Sequence, residues 1–409
     1  MRTFLAAVAL ACAALTQAAA APPEPALVAG FSTERLHRLD AAIDEQIRQQ
    51  QLAGAVMVVA RDGRPVVFKA YGQRDIENGK PMRTDTIFRI ASMTKALTTV
   101  AAMMLYEEGR FLLKEPVSRY LPAFANLRVA LAGGGTEKLR RPLTIHDLLT
   151  HTAGMSYGAG PASADYAKAG LIDWYLVGND ETLAQWADRF AALPLQGQPG
   201  EAFTYGFATD VLGRLVEVVS GQPLDRFIRE RITGPLRMPD TSFFLPADKV
   251  DRLANVYGLE NGRLKLMETP SRSDFVDGPR KLLSGGAGML STAGDYTRFL
   301  QMLLNKGELD GVRLLAPKTV ELMTADHLGN RSGGDADGFG LGFWVNVRMG
   351  GFRELGSEGA FGWGSAYFPQ YTVDPKERLV ILFMTQLRPA GNSTLHLRVR
   401  NLAYQALLR

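Results

Sequence analysis

Cysteine is almost missing from this chain: Cys12 is the only one in 409 residues, and it sits in an N-terminal apolar run. If that run is removed on export, the mature protein carries no thiol. Disulfides, cysteine nucleophiles and thiolate metal sites are then excluded. Histidine is scarce as well, with five in the chain. His146 and His151 stand five positions apart with no third ligand in view, so no metal and no cofactor are expected. Beyond the N-terminus, no apolar stretch approaches the roughly 20 residues of a membrane span, so no stable membrane insertion is expected. There is also no run of Lys or Arg to follow a phosphate backbone, although the formal net charge is +4. The short Arg140-Arg141 pair reads as a solvated loop, and nucleic acid is not an expected partner.

What is present is an ordinary globular balance, 46% hydrophobic and 22% charged, in a chain long enough for one large domain or two intimate ones. Its first residues read as an export signal. Met1-Arg2 is a positive start, Phe4 to Leu15 an apolar run, and Ala18 to Ala21 offer small-residue cleavage positions. Residues 1–21 are therefore expected to be a signal peptide and 22–409 the mature protein, periplasmic or secreted. A rival reading is lipidation at Cys12, because Leu10-Ala11-Cys12-Ala13 is similar to a lipoprotein cleavage box.

Helical periodicity over 31–52 (Leu36, Leu39, Ile43, Ile47) predicts an amphipathic helix. Two β-rich runs, Ala53 to Ala60 and Pro65 to Gly72, flank Asp62-Gly63 and predict a hairpin. Residues 92–108 return to a helical pattern that stops at Gly109. Between about 115 and 235 helix and loop dominate, with Thr144 to Leu149 and Asp210 to Val219 the clearest helices. Strands return over Phe339 to Val347, Arg353 to Gly356, Gly364 to Val373 and Leu379 to Thr385, and a last helix covers about Leu395 to Leu408. The expected fold is α/β plus all-α. An antiparallel sheet flanked by helices is built from both chain ends, about 30–115 and 280–409, and a mostly helical part at about 116–279 is inserted between.

Chemistry concentrates at Ser92-Met93-Thr94-Lys95, an S-x-x-K at the start of a helix. Residues three apart share a helix face, so hydroxyl and amine can meet. A serine hydroxyl becomes a good nucleophile only when a base takes its proton. Lysine becomes that base when burial and the positive helix N-terminus depress its pKa. The backbone N–H of Ser92, in the first turn, is free to donate to an oxyanion.

Phe88 through Lys95 resembles the serine β-lactamase and penicillin-binding-protein superfamily, whose signature begins with S-x-x-K. Three further segments follow in that family's order: Leu143 to Met155, with Leu148-Leu149-Thr150-His151-Thr152-Ala153-Gly154; Pro199 to Gly213, around Tyr205; and Gly285 to Thr292. The resemblance covers most of the mature chain and implies a β-lactamase/transpeptidase-like fold. It implies that Tyr205 is the second proton-transfer group beside Ser92 and Lys95. It also implies that Trp363-Gly364-Ser365 stands for the family's K-T-G strand, with the backbone N–H of Ala366 as second oxyanion donor. Trp363 looks like the W-x-G variant of family VIII carboxylesterases.

Two departures separate the chain from β-lactamases proper. Trp363 replaces the lysine that holds an antibiotic carboxylate, and Phe207 replaces the asparagine that meets its acylamino group. Together they would cost lactam recognition a few kcal/mol, at about 1.5–3 per charged hydrogen bond. Phe207, Trp363, Gly364 and Ser365 are therefore expected to contact substrate, with Phe207 as an apolar wall. The expected activity is hydrolysis of esters of small apolar acyl groups through an acyl-enzyme on Ser92, with weak β-lactam hydrolysis beside it. The partner is a small-molecule ester or lactam. One alternative is a β-lactamase or D-amino-acid peptidase acting on peptidoglycan-like substrates. Another is a β-lactam-binding sensor that acylates without turnover. Gly154-Met155-Ser156-Tyr157-Gly158 matches G-x-S-x-G, but the strand-to-helix context which that elbow needs is missing.

Overall fold

The structure, a computed structural model, describes residues 27–329, 337–350 and 354–409. The expected signal peptide and Cys12 lie outside them, as does Arg353.

Strands β1 (Gly54–Arg61) and β2 (Arg64–Asp75) form the expected hairpin. Asp62 and Gly63 both take positive φ, +53° and +74°, which matches the twist of a two-residue hairpin turn. A short β3 (Lys80–Pro81) pairs with the end of β2. Next come β4 (Ile87–Arg89), β5 (Leu290–Thr292), β6 (Asp337–Phe339), β7 (Trp344–Asn346), β8 (Phe361–Gly364), β9 (Gln370–Asp374) and β10 (Leu379–Thr385). Eight of these strands make one antiparallel sheet in the order β6-β7-β8-β9-β10-β1-β2-β3. Strands from the two chain ends meet where β10 pairs with β1, over seven residues from Leu379↔Arg61 to Thr385↔Ala55.

Helices cover both faces, so β1 and β10 are apolar almost continuously rather than alternately. Val56, Val58, Val380 and Leu382 join one core; Met57, Val59, Ile381 and Phe383 join the other. The second core is closed by α1 (Thr33–Arg48) packed on the C-terminal helix, which is numbered last below. The first core is filled by α2 (Thr94–Glu107), which is buried nearly all round. The inserted part contributes α3 (Ile145–Leu149), α4 (Leu183–Ala191) and α5 (Ala208–Ser220), the last packed on α2 and stopped by Gly221 in the left-handed region. Then come α6 (Ala293–Leu304) and α7 (Leu395–Ala406).

Near the C-terminus the strands before β10 are shorter than the sequence pattern predicts. Phe339 to Val347 is two strands, because Gly342 at φ +87° turns the chain between β6 and β7. Glu354 to Gly356 is a bend, with no strand. Gly364 to Val373 is broken by the turn at 365–369, so β8 ends where the expected strand begins. Among the described residues, no helix is long and apolar enough to cross a membrane.

Candidate active site

Strand β4 delivers the chain to Ser92. It pairs with β5, and the Ile90 N–H continues the ladder by donating to Met289 O at 3.0 Å. Arg89 anchors this approach from inside the protein. Its fully buried guanidinium donates to Glu268 Oε1 at 3.0 Å and Ala254 O at 2.8 Å. Gln386 grips the same residue's backbone, accepting from its N–H and donating to its carbonyl, each at 3.0 Å. Ala91 then takes φ +36°, a strained value for a residue with a Cβ, held by the surrounding packing. Ser92 lies in a single 3-10 turn, Ala91–Met93, that runs into α2. It therefore precedes the α-helix, where the sequence pattern had placed it inside the first turn.

Lys95, at the second position of α2, is buried. Its Nζ donates to Ser92 Oγ at 3.4 Å, to Tyr157 Oη at 2.9 Å and to Gly286 O at 2.8 Å. It also stands 4.7 Å from the centroid of the Tyr205 ring, a cation–π distance. Asp210 holds the Gly286 turn from behind, accepting from Ser284 Oγ at 2.6 Å and the Gly286 N–H at 3.0 Å. Burial raises the pKa of this carboxyl, while Lys95 and those hydrogen bonds act against the rise.

Tyr205 comes from a different part of the insertion. Asp147 caps α3 through Thr144 and binds Arg141 with both oxygens, at 2.7 and 2.8 Å. That fixes the start of a segment running through His151 to Tyr157. The segment before Tyr205 folds back on it: Gly200 N–H donates to Thr152 O and Thr204 N–H to His151 O. Gly206 completes the approach, because a Cβ there would lie 1.9 Å from Met155 O. The rings of Tyr157 and Tyr205 consequently meet edge to face, 5.6 Å apart. Burial, with Tyr205 and Asp210 behind it, pushes the Tyr157 phenol well above its ordinary pKa.

Trp363 on β8 closes the group. Its Nε1–H donates to Tyr205 Oη at 3.2 Å. Together Ser92, Tyr157, Trp174, Tyr205, Trp363 and Ala366 line one cavity of about 560 Å³. A hydroxyl and two phenols thus border one space, with the Lys95 amine buried behind them, walled by indoles and bordered by the free backbone of a strand. That set can take a proton from an attacking hydroxyl, return it to a leaving group and exclude bulk water.

The Beta-lactamase family model matches residues 39–405. The chain belongs to the β-lactamase family. Esterase EstB of Burkholderia gladioli is 34% identical over 382 residues, covering 87% of this chain and 91% of that one. The solved structure of EstCE1, described as a hydrolase with promiscuous acyltransferase activity, superposes with a TM-score of 0.79 at 30% identity. It covers 90% of this chain and 98% of its own. Simvastatin synthase (LovD) of Aspergillus terreus gives a TM-score of 0.77 at 27% identity, with 91% and 98% covered. The sheet flanked by helices is the fold that the motifs implied, and the chain is an enzyme, a serine hydrolase of the β-lactamase family. These relationships support ester hydrolysis in general.

Within this β-lactamase-family fold, Ser92 and Lys95 meet as their spacing suggested, and Tyr205, Trp363, Gly364, Ser365 and Ala366 lie beside them as the resemblance implied. Phe207 does not. It is fully buried against Tyr157, Trp186 and Phe190 and lines no part of the cleft. Helix α5 begins at the next residue, and its first turn aims this ring into the core of the insertion. The apolar wall beside Ser92 is Trp174 instead. Ser156 is also turned away, its hydroxyl donating to Ala159 O at 2.6 Å. The residue next to it, Tyr157, carries the contact with Lys95, and the sequence reading passed over it. The signal was a phenol inside the rejected G-x-S-x-G stretch, with nothing local to tie it to Lys95. Asp210 was likewise in view only as part of the Tyr205 segment. His146 touches His327 ring to ring, 3.1 Å between nitrogens. Among the described residues no group of three or more His, Cys, Asp or Glu side chains could hold a metal ion.

Trp363→Phe keeps a ring beside Tyr205 and removes the N–H donor. A hydrogen bond of this kind contributes about 0.5–1.5 kcal/mol, so kcat should fall roughly 2- to 10-fold, with KM changing less. Steady-state kinetics on one ester checks this; an unchanged kcat would make the indole a spacer only.

His151 packs on the Tyr205 ring at 4.8 Å and is buried. Burial, aided by the Lys95 charge, holds its pKa well below 6.5, so it is neutral in the folded protein. The unfolded chain takes up that proton near pH 6.5, and stability from this site is complete above that pH and lost as pH falls through it. Asp295 works in the opposite sense: burial raises its pKa to about 6, so its contribution is lost as pH rises from 3.8 towards 6. The melting temperature should therefore drop on going from pH 7.5 to 6, above the main Asp295 window, and His151→Gln should flatten that drop. An equally steep fall in the variant would remove His151 as its source.

Proposed function

We propose that this enzyme hydrolyses carboxylic esters of small apolar acyl groups through an acyl-enzyme on Ser92. Lys95 takes the Ser92 proton as Oγ attacks the ester carbonyl. The backbone N–H groups of Ser92 and Ala366 receive the oxyanion. Tyr205, its oxygen held by Trp363, hands a proton to the leaving alcohol and then draws one from the water that frees the acid. Lys95 returns its proton to Ser92 Oγ as the acid leaves, which restores both groups, and Tyr157 holds the amine in place beside Ser92.

The observation that carries this reading is the contact set of Lys95, a buried amine shared by Ser92, Tyr157 and the Tyr205 face. The substrate preference rests on Trp363 at the lysine position of K-T-G and on Trp174 as an aromatic wall, neither of which offers a charge to an antibiotic carboxylate. Weak β-lactam hydrolysis fits the shared family. The test is a panel of p-nitrophenyl esters of rising acyl length, a chromogenic cephalosporin and a D-Ala-D-Ala peptide. Fast turnover of the short esters is expected, with an acyl adduct on the Ser92 peptide in rapidly quenched samples. Reaction with the last two alone would reject the ester preference, and a lasting adduct without product would favour a sensor. We also propose export with residues 1–21 removed; N-terminal sequencing of the exported protein, starting near residue 22, tests this.

A further inference from the structure

The cleft does not end at Trp363. It passes over β8 to α7, where Trp344, Gln370, His396 and Arg400 line the same cavity. Strand β8 is thin enough for this because Gly362 leaves room for the Trp344 ring, 2.6 Å from where a Cβ would stand. Pairing between β7 and β8 stops at Trp344↔Gly362, so the stretch from Trp363 to Ala366 borders the cavity without a strand neighbour on that side.

The chemistry of this far end differs from that around Ser92. Arg400 is buried and ion-paired with Glu354 at 3.0 Å, and its guanidinium lies 5.0 Å from the Trp344 ring centroid. Burial lowers the pKa of His396, leaving it neutral near pH 7. The described residues that line this end therefore carry polar groups but no net charge. Gln370 Oε1 and His396 Nδ1 are both covered, with no hydrogen-bond partner among the described residues. A buried polar atom without a partner is costly, and both side chains line this cavity. A carboxylate placed here would face Glu354 and an ammonium would face Arg400, each opposing the buried pair. A hydroxyl both donates and accepts, and can use these atoms without breaking it.

The orientation follows from the proton transfer. The leaving oxygen must face Tyr205, whose oxygen is held by Trp363. The alcohol half of the ester then runs along β8 past Trp363 towards Trp344 and Arg400. The acyl half takes the other flank, where Trp174 and Tyr367 meet edge to face at 5.6 Å.

We infer that the α7 end of the cleft is a subsite for an uncharged, hydroxyl-bearing alcohol moiety, so that esters of polyols are favoured over esters of plain alkanols. This rests on the ester-cleaving reading above. The test compares glyceryl monobutyrate with n-propyl butyrate, which share acyl group and alcohol carbon count. The parent should prefer the glyceryl ester by about tenfold in kcat/KM, the worth of one net hydrogen bond. Gln370→Leu and His396→Phe, each checked for an unchanged melting temperature, should bring that ratio towards one. A parent ratio near one overturns the subsite, as does a ratio that survives in both variants. So does a larger gain from a hydroxyl on the acyl chain, or from a carboxylated alcohol such as butyryl glycolate. If neither ester is cleaved, the ester-cleaving reading fails instead.

Discussion

Ser92→Ala should lower kcat/KM on the best ester by about 10⁴-fold or more, the scale seen when a nucleophile working as part of a unit is removed. The fold should hardly notice. Ser92 Oγ makes only the long 3.4 Å contact with Lys95, and the strained turn is carried by Ala91 and by the clamp on Arg89. A stability change within about 0.5 kcal/mol is expected. Loss of activity with an unchanged melting curve therefore separates chemistry from folding. Ser156→Ala provides the matched control, since its hydroxyl is spent on Ala159 O and points away from Lys95. Parent-level hydrolysis by the Ser92 variant, or collapse in the Ser156 variant, would move the nucleophile to the other serine.

Lys95→Met should cost about 10²–10⁴-fold in kcat, the usual range for a positioned acid–base group. The mechanism of loss is specific. Without the amine, Ser92 loses its proposed base, Tyr157 loses its hydrogen-bond donor, and the group over the Tyr205 ring disappears. Asp210 also loses the charge that opposes its burial, so its carboxyl shifts further towards the neutral form. Stability is expected to fall by about 1–3 kcal/mol, because Gly286 O and Tyr157 Oη lose their buried donor. Single-turnover acylation, read with thermal unfolding, checks both halves. An acylation rate equal to the parent's would remove Lys95 from the proton path.

Several features of the site could be read along the chain because they are local. Ser92 and Lys95 meet since three residues of helix carry one face, and that holds although Ser92 occupies a 3-10 turn. The Asp62-Gly63 hairpin and the stop of α5 at Gly221 are likewise properties of a few neighbouring residues. Motif order extended the reading to Tyr205 and Trp363, which no periodicity could have joined. It misled at Phe207, because the position after next from Tyr205 is already the edge of α5 and its direction is decided by what α4 presents.

By itself, then, the sequence determined that Ser92 and Lys95 are neighbours and that the sheet is built from both chain ends, since the first follows from spacing and the second from motif order. The tertiary structure alone decided that Tyr157 bonds Lys95, that Trp363 bonds Tyr205, and that a neutral polar end opens beside α7. Those contacts join residues tens to hundreds of positions apart. Their distances depend on how three packed layers settle against one another, and no local propensity encodes that.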